Sequence, residues 1–289
     1  MNRRFAVLFA MALGAQEPEV ATVVSFTEGP TVDAAGNVYF TETIGQRIMK
    51  LSVDGTLATF RENSGGANGL IFDEQWRLVA CEGRAGRVTR TDLKTGRIET
   101  LSSGHTSPND VTIDGQGRLY FTDMGGVAVH RIDTDGRVTK LLSAPAIERP
   151  NGIVVAPDDR TLYLVEANGR EGGARMIRAY DLGADGSLGR MRVHYNFYPG
   201  RSADGITVDS EGNVYAAAGL HRRRGTHETL DTQCGVHVIS REGKRTGFIP
   251  IPEDTITNVA FGGADLKTLY VTAGKTLYRV RTAIAGTRR

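Results

Sequence analysis

The chain has 289 residues, of which 40% are hydrophobic and 24% charged, and its formal net charge is +2. This is the composition of an ordinary globular protein, and so small a charge excludes binding to nucleic acid or to an anionic membrane through a basic surface. Only two cysteines are present, Cys81 and Cys234. A disulfide framework and a thiolate zinc cluster are therefore excluded as well.

The first fifteen residues have the features of a secretory signal. Arg3 and Arg4 are followed by an apolar run over residues 5–13 and by Gly14 and Ala15. The apolar run is too short to span a bilayer. We therefore expect a signal peptide over residues 1–15, one domain over residues 16–289, and a periplasmic or secreted protein; without cleavage the protein would be cytoplasmic.

One sequence motif recurs six times along the chain. Each copy is a short apolar strand, a turn rich in Asp and Gly, and a second apolar strand, which is the pattern of a β-hairpin. The copies begin at Glu28, Asn68, Asn109, Asn151, Asp204 and Asn258, at intervals of 40, 41, 42, 53 and 54 residues. A second strand pair follows each hairpin, and four strands in about 40 residues is the period of a β-propeller blade.

The last copy ends after Thr276–Arg281, one strand short of the others, while residues 19–26 have the pattern of the missing strand. Pairing of the two ends would leave no open sheet edge. The sequence thus predicts an all-β, six-bladed propeller with four strands per blade, closed by an N-terminal strand. A β-sandwich would not contain six equivalent units. Cys81 and Cys234 fall on opposite blades, which argues against a bridge between them.

The six residues that begin the copies are all polar oxygen donors. In a propeller they meet at one mouth of the central channel, and two carboxylates with several amides suit one hard or borderline divalent cation. We expect Glu28, Asn109, Asn151 and Asp204 to bind the metal, and Asn68 and Asn258 to lie outside its shell, where they could contact substrate. The alternative is that these Asn-Gly and Asp-Gly pairs are merely turn residues.

A second set of acids ends the second strand of the first four copies: Glu42, Glu82, Asp123 and Glu166. Ala218 and Ala273 replace them in the last two copies. We expect Glu82 and Asp123 to bind substrate; the alternative is that these acids are solvated charges at strand ends. The long basic loop over residues 219–235, with His221 and His227, either clamps an anionic or polyhydroxylated substrate or is a flexible insertion.

Three segments carry a resemblance to a known family. Residues 107–110 (Ser-Pro-Asn-Asp), residues 80–82 (Ala-Cys-Glu) with residues 87–90, and residues 260–274 resemble the senescence marker protein/gluconolactonase/luciferin-regenerating enzyme-like family, in particular its bacterial gluconolactonase branch. The resemblance covers about residues 19–281. Ser107, Gly83 and the stretch over residues 124–126 depart from patterns common in the family, which bears on lactone specificity and leaves the metal ligands unchanged.

The resemblance implies a six-bladed propeller with a single catalytic divalent metal, held by Glu28, Asn151 and Asp204, with Asn109 as a further active-site residue. Members hydrolyse aldonolactones or related lactones, and similar propellers hydrolyse organophosphates. The metal differs among members; here calcium is the first choice, with zinc, manganese and iron as alternatives.

The sequence therefore predicts metal-assisted hydrolysis of a small sugar-type lactone, with no nucleic-acid or membrane partner, by a monomer or weak homo-oligomer. Asp204, with one carboxylate oxygen free, would accept the proton of the attacking water, and Asn109 would orient the substrate. A Ser nucleophile in a Gly-x-Ser-x-Gly motif is absent. The alternatives are a phosphotriesterase on the same scaffold and a non-catalytic propeller that binds a ligand.

Overall fold

The computed structural model describes residues 17–287, so the predicted signal peptide lies outside the described residues. The described chain forms six separate four-stranded antiparallel sheets. Between residues 17 and 287 there is no α-helix, and hence no helical segment able to cross a bilayer. The predicted six-bladed propeller with four strands per blade is confirmed.

The strands are short, and most have five or six residues. In chain order they are β1 (Glu19–Val23), β2 (Thr27–Val32), β3 (Val38–Glu42), β4 (Arg47–Leu51), β5 (Leu57–Arg61), β6 (Ala67–Phe72), β7 (Leu78–Glu82), β8 (Arg87–Thr91), β9 (Ile98–Ser103), β10 (Pro108–Ile113), β11 (Leu119–Asp123), β12 (Ala128–Ile132), β13 (Val138–Ser143), β14 (Pro150–Val155), β15 (Thr161–Ala167), β16 (Arg175–Leu182), β17 (Leu188–Asn196), β18 (Ala203–Val208), β19 (Val214–Ala218), β20 (Gly235–Ile239), β21 (Arg245–Pro250), β22 (Ile256–Gly262), β23 (Thr268–Ala273) and β24 (Thr276–Arg281).

Five blades each consist of four consecutive strands, from β2–β5 to β18–β21, and the sixth has the order β1-β24-β23-β22. The strands β2, β6, β10, β14, β18 and β22 contact one another in sequence, and β22 contacts β2, so they form the closed inner ring. In the sixth blade Glu19 pairs with Arg279 and Val23 with Thr276. The predicted closure by the N-terminal strand is therefore confirmed.

Aspartates set the tight turn between the first two strands of four blades. Each carboxylate accepts the backbone N–H groups two and four residues later, as an Asx-turn requires. The four are Asp33, Asp73, Asp114 and Asp209. Because the turn length is fixed, the hairpin register is fixed too, and it places each inner strand with one end at the same face.

Apolar side chains fill the spaces between adjacent blades. Between the first and second blades, the ring of Tyr39 meets Phe60 and Phe72 edge-on, at centroid distances of 5.0 and 5.3 Å. Cys81 and Cys234 are buried and free, as predicted from their positions on different blades.

The fourth and fifth blades carry the longer connections, and a buried arginine joins them. Arg175 is 1% exposed, and its guanidinium donates to the backbone carbonyls of Asn168, Arg170, Pro199 and His227. These carbonyls belong to three different loops, including the long basic one. One planar side chain therefore sets the relative positions of three loops.

We expect the substitution Arg175→Met to lower the free energy of unfolding by about 3 kcal/mol or more, because buried carbonyls that lose their donor cost about 1–3 kcal/mol each. Urea denaturation would measure the change. The matched control is Arg190→Met, since that side chain is 79% exposed and 3.6 Å from Asp181; it should change stability by less than about 0.5 kcal/mol. Equal effects of the two substitutions would contradict the anchoring role.

Candidate functional site

The six polar residues that begin the copies lie in the innermost strands, next to a β-bulge. In every blade the pairing of the first two strands shifts register at this point, for example between Glu28 and Thr31 and between Pro108 and Val111. A bulge takes residues out of the regular ladder and re-aims their side chains. The interpretation of these residues as hairpin turns is therefore wrong.

The glycines that follow the ring residues allow neighbouring inner strands to approach closely. A Cβ on Gly29, where φ is +42°, would lie 2.0 Å from the carbonyl oxygen of Asn68. A Cβ on Gly152 would lie 2.5 Å from the carbonyl oxygen of Asp204. No larger residue fits at either position, so the narrow mouth depends on them.

Three carboxylates lie together at this mouth; Glu28 and Asp110 are buried, and the side chain of Asp204 is 17% exposed. Burial raises the pKa of Glu28 well above its ordinary value, and repulsion from Asp204 and Asp110 raises it further. Burial also raises the pKa of Asp204, against the opposing effect of Arg201. The pKa of Asp110 rises to about 7, chiefly through burial. Mutual repulsion of this kind requires that the three groups lie close together.

Asp204 is held from two sides. The Asn151 amide nitrogen donates to Oδ1 at 2.6 Å, and the Arg201 guanidinium donates to Oδ2 at 2.6 Å. Arg201 is itself fixed by the Ile256 carbonyl at 3.1 Å. The expectation that Asp204 has a free carboxylate oxygen is therefore wrong, because the sequence did not reveal Arg201 as its partner.

Glu28 differs from Asp204 in having no ionic partner among the described residues. Its carboxylate accepts one hydrogen bond, from the N–H of Gly29 at 3.2 Å, and the residue is 7% exposed. A buried carboxylate without a cation is costly. This side chain is the one that most needs a positive charge nearby.

Asp110 is a site residue that the sequence analysis missed. Its oxygens accept the N–H groups of Val111 at 3.0 Å and Ile153 at 3.3 Å, and the Asn258 side chain also bonds to it. Asp110 and Asn258 also line a cavity of about 410 Å³ that extends along the inner strands, away from the mouth, to hairpin-turn residues such as Asp33 and Gly36. A signal was available: four of the other five copies have Gly at this position.

The amides of the ring fall into two groups. Asn258 is tied to protein groups, since its Oδ1 accepts the N–H of Val259 at 2.8 Å and it bonds to Asp110. The side chains of Asn68 and Asn109 have no hydrogen-bond partner within residues 17–287, although Asn109 is only 7% exposed. Substrate contact by Asn68 and Asn258 stays a prediction, and the amide of Asn109 is the one left open at the mouth.

The second set of acids is buried, and every member has partners. Glu42 accepts bonds from Gly45 and Arg47, and Glu166 from Glu148, Arg149 and Arg178. Burial is the largest influence on Glu166 and raises its pKa. The alternative of solvated strand-end charges is wrong.

Glu82 and Asp123, predicted to bind substrate, follow the same pattern. Glu82 is fully buried and accepts bonds from Arg61, from Arg87 at 2.7 Å and from Thr89 at 2.6 Å. Asp123 accepts three backbone N–H groups, those of Thr106, Ser107 and Gly126, at 2.7–3.0 Å. In this arrangement both carboxylates brace loops, and direct substrate contact by them stays a prediction.

The loop over residues 219–235 is attached on both sides. His221 Nε2 bonds to the Ile251 carbonyl at 2.8 Å, and Arg224 bonds to Thr255 Oγ1 at 2.6 Å. On the other side His227 N–H donates to the Gly169 carbonyl at 3.0 Å. Neither imidazole ligates a group at the ring, but Arg224 lowers the pKa of Asp204 and so lies near it.

The donor set at the mouth fits a divalent cation. Among the described residues only Arg201 forms an ion pair with one of the three carboxylates, Glu28, Asp110 and Asp204, while Arg224 acts on Asp204 from farther away and pairs with Asp254. Carboxylate and amide oxygens are the ligands that hard divalent cations prefer. A cation at this point would be held by Glu28 and Asp204, with the amide oxygens of Asn109 and Asn151.

The sequence and the fold are similar to those of known lactonases. The chain is 32% identical to "Pentonolactonase XacC" of Haloferax volcanii over 199 residues, which is 66% of this chain and 60% of that protein. It is 24% identical to "Gluconolactonase" of Zymomonas mobilis over 310 aligned positions, which cover 92% of this chain and 81% of the relative.

A solved structure described as a candidate gluconolactonase superposes with a TM-score of 0.81 at 26% identity, covering 96% of this chain and 95% of that one. Residues 26–275 match the model of the SMP-30/Gluconolactonase/LRE-like region. The protein is therefore a member of the SMP-30/gluconolactonase/LRE-like family.

Proposed function

We propose that the protein is a metal-dependent lactonase that opens a small sugar-type lactone at the mouth of the propeller. The observation that carries this proposal is Glu28, a buried carboxylate without an ionic partner, facing Asp204 and Asp110. Relatives named as a gluconolactonase and a pentonolactonase support the substrate class. Calcium is the proposed cation because every available ligand is oxygen, with zinc, manganese or iron as the alternatives.

Different residues of the chain would contribute to different parts of lactone hydrolysis. The Asn109 amide would donate to the lactone and fix its orientation, which lowers the entropic part of the barrier. A bound divalent cation supplies Lewis acidity toward the lactone carbonyl. Arg201 would keep Asp204 in place and ionised through their 2.6 Å bond.

Asp204 is the proposed proton acceptor for the attacking water. In the metal-free protein its pKa is raised because burial has a larger effect than Arg201, and a cation bound to the same carboxylate would lower it. Each oxygen of an ionised carboxylate has two lone pairs, so the hydrogen bonds from Asn151 and Arg201 leave acceptor capacity for the water proton. Arg201 and Asn151 hold the two oxygens, so the carboxylate cannot rotate away.

We also propose export to the periplasm or the cell exterior. The support is the basic start at Arg3 and Arg4 followed by the apolar run. N-terminal sequencing of the protein recovered from cells would detect cleavage directly, and an intact Met1 would contradict it.

The function is tested by metal removal and substrate choice. We expect protein stripped with chelator to lose hydrolysis of γ- and δ-aldonolactones, and added Ca²⁺ or another divalent ion to restore it. Parallel assays with a phosphotriester separate the two hydrolase hypotheses. Faster phosphotriester than lactone turnover would make the protein a phosphotriesterase, and no turnover of either would favour a binding propeller.

The substitution Asp204→Asn should reduce kcat by at least about 100-fold even at saturating cation, since general bases contribute about 10²–10⁴-fold. The fold should persist, as circular dichroism would show, because Asn keeps the size of the side chain. The control Asp209→Asn changes a turn carboxylate of the same blade and should leave kcat near wild type. Wild-type kcat in Asp204→Asn would remove the base assignment.

The raised carboxylate pKa values predict how pH affects the metal-free protein. For Asp110 the folded-state value of about 7 lies above the ordinary 3.8, so the folded protein binds more protons than the unfolded chain between these values. The stabilisation from this group is thus present below pH 3.8 and is lost as pH rises through about 7.

We therefore expect the melting temperature in chelator to fall as pH rises through this window, and the increase caused by Ca²⁺ to be larger at about pH 8 than at about pH 5.5, because the cation requires ionised carboxylates. Differential scanning fluorimetry would measure both. Asp110→Asn should flatten the pH dependence in chelator. The same slope in that variant would contradict the assignment.

A further inference from the structure

A second cluster of potential ligands lies in the third blade, apart from the carboxylates of the mouth. His105, Asp123 and His130 each offer one ligand atom, and these atoms lie within 4.8 Å of one another. The imidazole centroids of His105 and His130 are 4.8 Å apart, and Phe121 stacks on His130 with an interplanar angle of 14°. The cluster is therefore packed against the ring of Phe121.

His130 is the more buried of the two histidines, at 7% exposed. No hydrogen bond to its ring nitrogens is found among the described residues, and neither nitrogen is a fully enclosed, unpaired atom. A nitrogen of this ring is therefore accessible to a small ligand such as a metal ion. Burial and the neighbouring His105 lower the pKa of His130 to about 4, so the ring is neutral at neutral pH and keeps a lone pair.

The other two members already have the partners that orient metal ligands. His105 Nε2 and Ser102 Oγ form a hydrogen bond of 2.6 Å, and in the tautomer whose Nε2–H donates to Ser102 the lone pair of Nδ1 is free for a metal. Burial lowers the pKa of His105 as well. Asp123 receives three backbone N–H groups, which outweigh its burial and keep its pKa low. Ligating imidazoles and carboxylates are typically held in this way.

From this arrangement we propose that His105, Asp123 and His130 form a second metal site, selective for a transition-metal ion of the Zn²⁺ type. Two imidazoles and one carboxylate suit zinc and its neighbours and not calcium, which prefers a shell of oxygens. Tetrahedral zinc places its ligand atoms about 3.4 Å apart. His105 is only half-buried, so its side chain has room to move closer to the other two ligands. The ion can also reach the cluster from solvent on this side.

The site is independent of the proposed lactonase centre, and it has a specific connection to it. Asp123 holds the N–H groups of Thr106 and Ser107, and Asn109 follows two residues later. Bound zinc would share the carboxylate that fixes this loop.

The test is Zn²⁺ titration by calorimetry, in excess Ca²⁺, of the wild type and His130→Gln. The wild type should bind one Zn²⁺ more than the variant, or bind it more than about 100-fold more tightly. A loss of this size exceeds the usual effect of removing a residue that only orients a metal ligand, which is about 10–100-fold in affinity. Co²⁺ in place of Zn²⁺ should give visible absorption bands that the variant lacks.

The matched control is His194→Gln. His194 is also a buried imidazole with a pKa lowered to about 4, but it lies against Tyr163 in the fourth blade, away from this cluster. It should bind as the wild type does. If His130→Gln fails to fold, the half-buried His105→Gln takes its place.

Equal Zn²⁺ stoichiometry and affinity in the wild type and in the folded cluster variant would overturn the proposal. An anomalous-scattering peak between the three side chains in a zinc-soaked crystal would support it, and a peak only at Glu28 and Asp204 would contradict it.

Discussion

The crowding of three carboxylates, two of them buried, around Arg201 is the constraint on which the site depends. The innermost strands form a closed ring, and glycines such as Gly29 and Gly152 let them approach to a distance at which a Cβ would clash with the neighbouring backbone. Glu28, Asp110 and Asp204 cannot separate without opening that ring. Their repulsion is reduced by Arg201 and by protonation, and a divalent cation would bring two positive charges to the same point.

The acids at the two ends of the hairpins have different surroundings. Glu28, which begins the first hairpin, has no ion pair among the described residues, whereas Glu42, Glu82 and Glu166, which end second strands, are paired with arginines, and Asp123 is held by three backbone N–H groups. Glu82, for example, is enclosed by Arg61, Arg87 and Thr89. The uncompensated charge is thus confined to the axis of the propeller, where a cation and a substrate can reach it.

The loops around the mouth are held by side chains that bind backbone groups. Arg175 joins three loops of the fourth and fifth blades, and Asp123 binds the loop that leads to Asn109. Such bonds fix the positions of the loops that surround the site.

The sequence by itself determined the six blades, the N-terminal closing strand and the positions of Glu28, Asn109, Asn151 and Asp204, because these follow from a repeat whose period and polar first residue can be read directly. The pairing of Arg201 with Asp204, the enclosure of Glu82 and Asp123, and the role of Asp110 were decided only in three dimensions. Each depends on a partner in another strand or loop, at a distance that the repeat does not encode. Hydrogen bonds and burial, which set the charge of these groups, exist only once the blades are packed.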